Sequence, residues 1–384
     1  MTELDWREQV GKLLGRAERL EPGEAKVMAL EEAARLADAH GDVPLAFEVR
    51  DALIDAATFG GFPDRALVAF AWCRGQQQRD PERFSPEPLL WKQKWVVGRL
   101  DEFPHISRKQ IEGALDDVEQ CFAKAGAGRR AVLKLRYQAA RDMGDDAAAE
   151  SFWAQWVKEP RDHLTDCRAC ELDDELDHHI DRGEYAVALE KARPLLEGRS
   201  TCAEVPHLTL GSVLYPLFKL GRLEQARDSH LRGYELVQRN REFLATLGEH
   251  LEFLALTGNV ERGLKLFARH VGWALEHSSH RDRFTFYTAS LALMEQALAE
   301  GHERVTLSLP RTFTFYSPGE EYETRTLRGW LASQAEGIAA KFDARNGTDR
   351  FHKLLARARQ LGTEVVPFPI EAPILPSPSG RGTG

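Results

Sequence analysis

Two cysteines separated by two residues, Cys167-Arg-Ala-Cys170, offer a pair of thiols from one turn of chain. Convergent thiolates at this spacing are half of what a tetrahedral Zn²⁺ requires. A second pair, Cys202 and His207, lies in Cys-Ala-Glu-Val-Pro-His on the loop that follows the next helical hairpin. That hairpin, 171–197, returns the chain close to its start, so the two pairs can meet in space. Cys167, Cys170, Cys202 and His207 are therefore read as a candidate structural zinc site, and zinc is the one cofactor the sequence suggests. The competing reading is that the cysteines are small residues packed into a loop. A redox role for the Cys-x-x-Cys pair is disfavoured, since no βαβ pattern surrounds it. His178 would lie about 12 Å along a helix from Cys170, too far to share an ion.

Other chemistry-bearing groups are less specific. The acidic run from Glu171 to Asp177 can attract a basic partner, but it reads first as a solvated face where carboxylates favour a helix N-terminus. Trp91 and Trp95, and Trp153 and Trp156, sit at spacings that place each pair on one helix face. They are either aromatic anchors for a partner or, as the favoured reading, packing between helices. The histidines form no HExxH, the glycines form no phosphate loop, and there is no GxSxG elbow. No catalytic constellation appears, and the expectation is a protein that is not an enzyme.

The elements that must hold these residues repeat. Three turns share one pattern: Gly183 to Ala188, Gly221 to Ala226 and Gly258 to Gly263, with an apolar third residue (Tyr185, Leu223, Val260) and a small sixth. Before each Gly, leucines recur at one helical spacing: Leu172 and Leu176, Leu210 and Leu214, Leu247 and Leu251. With Gly61 and Gly144 the turns are 83, 39, 38 and 37 residues apart, and the long interval holds an extra helix pair around Pro104. Seven helix pairs are thus expected between Leu4 and Glu276, each burying its apolar stripe on its neighbours. Ser107 and Gln110 have the spacing of a capping box.

The Gly turn followed by a small residue five places on resembles the tetratricopeptide repeat, as found in multi-repeat proteins of bacteria. Ala66, Ala149, Ala188 and Ala226 fall where that family keeps a small residue to let two helices approach. The resemblance implies an all-α, right-handed solenoid whose concave groove binds peptides or protein segments. On that basis the expected organisation is a repeat array over 1–300, an irregular β-prone connection over 301–323, capping helices over 324–362 and a disordered tail over 363–384.

Composition narrows the partners. A formal net charge of −9 disfavours a nucleic-acid backbone, whose binding depends on clustered Lys and Arg. No apolar run is long enough for a membrane span, and the start of the chain lacks the basic and apolar regions of a signal peptide. Five cysteines, thinly spread, do not make a secreted disulfide framework, so cytoplasmic residence is expected. The leading functional expectation is an interaction scaffold for a protein or peptide partner on the concave face. The alternative is a ligand- or peptide-responsive regulator, which a deep pocket would favour over an open groove.

Overall fold

A computed structural model describes residues 3–370. Helices dominate, and they pair in chain order. The pairs are α1 (Glu3–Glu18) with α2 (Glu24–Ala39), α3 (Val43–Thr58) with α4 (Pro63–Arg79), and α5 (Glu87–Val97) with α6 (Arg108–Ala125). They continue as α7 (Arg129–Met143) with α8 (Asp146–Trp156), and α9 (Arg168–Asp181) with α10 (Tyr185–Leu196). Next, α11 (His207–Ser212) and α12 (Leu214–Lys219) together face α13 (Leu223–Val237), and α14 (Leu244–Leu256) faces α15 (Val260–Glu276). The break between α11 and α12 is at Val213, three residues before Pro216, whose ring and missing N–H interrupt the helical ladder.

Local sequence sets the boundaries. Ser107 and Gln110 form the reciprocal capping box that opens α6, and Gly126 closes that helix in the left-handed conformation. Gly144 turns α7 into α8 at φ 77°, a backbone state that costs other residues more than glycine.

The last hairpin carries an insertion. Its first helix, α16 (His280–Ala299), is followed by a two-stranded antiparallel ribbon, β1 (Arg304–Thr306) with β2 (Glu321–Glu323). The partner of α16 is then α17 (Thr324–Asn346), so the ribbon is an insertion within the hairpin and not a replacement for its second helix. A further helix, α18 (Arg350–Gln360), packs back onto α16 and α17. Part of the expected tail is also ordered. Val366 and Phe368 donate to the carbonyls of Leu256 and Thr257 (2.9 and 3.0 Å), and Ile370 is buried. The rest of that tail, 371–384, lies outside the described residues.

The apolar core runs along the stack. One cluster spans Trp6 to Val96, a second Leu90 to Leu164, and the largest joins Leu176 in α9 to Phe351 and Leu355 in α18. Distant parts of the chain also meet. Asn240 donates to the carbonyl of Phe59 (3.1 Å), Arg345 to those of Asp101 and Phe103 (3.0 and 3.1 Å), and Thr348 to that of Met143 (3.0 Å). The turns of the early hairpins thus rest on the C-terminal ones. No described helix is long and apolar enough to cross a membrane.

Candidate functional site

The three cysteines converge. Cys167 caps the start of α9, where its sulfur accepts the Cys170 N–H at 3.4 Å. Hairpin α9–α10 brings back the loop that carries Cys202, leaving Sγ–Sγ separations of 3.3 Å (Cys167–Cys170) and 3.5 Å (Cys170–Cys202). All three sulfurs lie within 4.8 Å of one another, and the cysteines are free. Zn–S bonds of about 2.3 Å place thiolates at the corners of a tetrahedron with edges of about 3.8 Å, so the trio is close to one of its faces. The cluster can hold a metal ion.

Its electrostatics favour a thiolate. A hydrogen bond from Cys170, with the backbone N–H groups of Glu204 and Val205, lowers the Cys202 thiol to about 5 despite its burial. The same bond, with burial, pushes the Cys170 thiol up. A thiol that ionises readily suits a metal ligand, since sulfur binds a metal as the thiolate.

His207 does not join the trio. At the start of α11 its ring stacks on Phe243 (centroids 5.2 Å apart, 8° between planes), and its buried Nδ1 has no partner. The stacking surface supplied by Phe243, from a later hairpin, fixes the ring away from the sulfurs. His178 is also elsewhere, stacked on Trp153 at 3.5 Å, where burial drives its pKa down to about 4. Trp156 is fully buried against Tyr137, which supports packing for that tryptophan, and Trp91 carries the Lys94 ammonium 3.4 Å from its ring centre.

The acidic run departs most from its reading as a solvated face. Glu171 is fully buried and receives Arg130 at 2.7 Å together with Arg161, while Glu175 binds Arg168 and Lys191. Asp174 pairs with Lys134 at 2.6 Å. These cations come mostly from α7 and from the segment before α9, so tertiary pairing, which has no signature in the run itself, permits the burial.

The remaining acids, Asp173 and Asp177, face a central cleft of about 480 Å³. Its walls come from the first helices of successive hairpins (α7, α9, α11–α12, α14, α16) and from α18. No lining residue comes from α8, α10, α13 or α15. Four guanidiniums border the cleft, and each is engaged. Arg281 donates to Asp101, Glu102 and Asp142, Arg357 to Glu252 (3.1 Å), Arg350 to Asp181 (3.4 Å), and Arg141 to Asp142 (2.9 Å).

Four carboxylates are left without a hydrogen-bonded cation: Asp282, whose nearest is Arg99 at 3.8 Å, and three more. Asp173 accepts only from Thr209, Asp177 has Arg141 no closer than 3.8 Å, and Glu249 has only the Ser212 hydroxyl. Burial, then mutual repulsion, raises Asp173 and Glu249 well above the ordinary carboxylate range and, for Asp177, to about 7. Backbone shape makes the room: a Cβ at Gly211 would sit 2.3 Å from the Glu249 carboxylate.

Comparison with known proteins gives no matching family profile and no matching curated protein.

Proposed function

We propose that this chain is a non-catalytic binding protein, built from tetratricopeptide-like hairpins, that takes a small ligand into the central cleft. The observation that carries the reading is the composition of the wall. Five successive hairpins each contribute their first helix, and α18 adds Arg350, Leu354 and Arg357. A ligand there touches the middle and the end of the chain at once, which is what a responsive regulator needs. At about 480 Å³ the cleft is in the range of small-molecule sites, roughly 300–1,000 Å³. The same inner surface would serve a peptide scaffold, but a cleft of about 480 Å³ walled by six elements favours a small ligand over a long segment.

The cleft reading is tested by filling it. Ser212 lines the wall, and Ser212→Trp places an indole in the volume. A low-molecular-weight cell extract is expected to raise the thermal midpoint of the natural protein and to leave the variant unchanged. Equal shifts, or none in either protein, would count against the reading.

At the cysteine trio we propose structural zinc, with three thiolate ligands and solvent in the fourth position. The support is the Sγ geometry and the lowered Cys202 thiol. Such an ion would tie the start of α9 to the loop after α10, and its binding energy would add to folding.

A further inference from the structure

The geometry points to a small organic cation, with two or more ammonium or guanidinium groups, as the ligand of the cleft, held by Asp173, Asp177 and Glu249. This rests on the cleft being the binding site, and it adds the chemistry of what binds there.

Charge balance is the first support. Seven carboxylates border the cleft against four guanidiniums, and those guanidiniums are already committed to other acids. An anionic ligand would have to break these pairs. A cationic one meets carboxyls that no cation bonds, and its approach would draw Asp173, Asp177 and Glu249, which burial raises, back to the ionised form.

Asp173 supplies the second, independent support. Only 7% exposed, it uses one oxygen to accept from Thr209, and its other oxygen has no donor among the described residues. That carboxyl lines the cleft, where a bound N–H can supply the donor the protein does not.

Spacing then selects the kind of cation. Asp173 and Asp177 stand one helical turn apart on α9, roughly 6 Å, and Glu249 approaches from α14. Among the described residues only the three cysteines form a group of three or more with ligand atoms all within 4.8 Å of one another, so these three carboxylates do not converge on one metal ion. They suit separated positive centres on one flexible molecule, each taking a charge-assisted hydrogen bond. A free polyamine and a short basic peptide share this chemistry.

Titration calorimetry of the full chain at low salt, with spermidine, the Lys-Lys dipeptide, butylamine and glutarate as probes, tests the inference. Spermidine or the dipeptide should bind one per chain, at least about tenfold more tightly than butylamine, and the tighter of the two identifies the source. Asp177→Asn and Glu249→Gln should each weaken that binding about tenfold or more. Both variants should melt no lower than the natural protein, since an amide relieves a buried unpaired carboxylate, so lost binding will not be lost folding. Spermidine binding that ignores both substitutions would mark surface charge and overturn the inference. Glutarate binding that Ser212→Trp abolishes would overturn it while leaving the cleft reading intact. If no probe binds, the inference fails, and the extract experiment with Ser212→Trp still decides the cleft reading on its own.

Discussion

Arg281 ties the last hairpin to the third and fourth, and its removal has a calculable cost. From the start of α16 its guanidinium reaches Asp101 (2.8 Å) and Glu102 (3.0 Å), in the turn after α5, and Asp142 in the last turn of α7. Its side chain is 29% exposed, against 6% for Asp101 and 3% for Glu102. In Arg281→Met, Glu102 keeps Arg99 (3.0 Å) and Asp142 keeps Arg141 (2.9 Å). Asp101 keeps no side-chain donor, because Arg345 bonds to its backbone carbonyl instead. Breaking a buried pair costs about 3–5 kcal/mol, and one orphaned carboxylate belongs at the lower end, about 3 kcal/mol at pH 8.

The pH dependence is a second signature of the same pair. Burial already raises Asp101 to about 7, so its stabilisation is complete at low pH and declines as pH rises through that value. Without Arg281 the carboxyl stays protonated to higher pH, and the deficit should narrow by about 1 kcal/mol between pH 8 and pH 6. Urea denaturation of both proteins at the two pH values measures this, and hydrogen exchange should quicken at residues 100–103 and 345–350. Adding Asp101→Asn should return the variant to within about 1 kcal/mol of the natural protein. A deficit below about 1 kcal/mol at pH 8, or no rescue by Asp101→Asn, would refute the account of a closed array.

Three further outcomes are expected. Metal analysis of purified protein should find one zinc per chain, lost in Cys202→Ser and kept in His207→Ala, because only the former residue belongs to the thiol cluster. Acid should destabilise the fold through His230 and His270, which burial holds neutral down to about 3. Their folded values are depressed, so stability is full above about pH 6.5 and falls as pH drops toward 3. His230→Phe should flatten that fall, read as the thermal midpoint against pH. Gly128→Ala should lower stability by at least about 1 kcal/mol in urea, since the residue has φ 86° and its Cβ would lie 2.1 Å from the Phe122 ring.

What the sequence revealed and what it hid divide along one physical line. Helix ends are local, so the Ser107–Gln110 box and the glycine turns at 144, 183, 221 and 258 could be read directly. The cysteine trio was legible because one hairpin brings Cys202 back to Cys167 and Cys170. His207 was not, since the surface that captures its ring, Phe243, is two helices further on. The acidic run misled for the same reason: Arg130 and Lys134, which permit Glu171 and Asp174 to be buried, lie some forty residues upstream. The cleft was hidden most completely, because its wall draws on six separate elements, the last of them α18, which follows the β1–β2 insertion. One signal was available: Asp173 and Asp177 alternate with Leu172 and Leu176, which placed carboxylates beside a buried stripe and not opposite it.

Hydrogen–deuterium exchange of the full chain, with and without spermidine, tests the central claim most directly. Protection should appear together in 173–181, 208–215, 245–252 and 350–357, the segments that line the cleft from four separate parts of the chain. Protection confined to 185–196, 223–237 and 260–276, on the second helices of the hairpins, would contradict it.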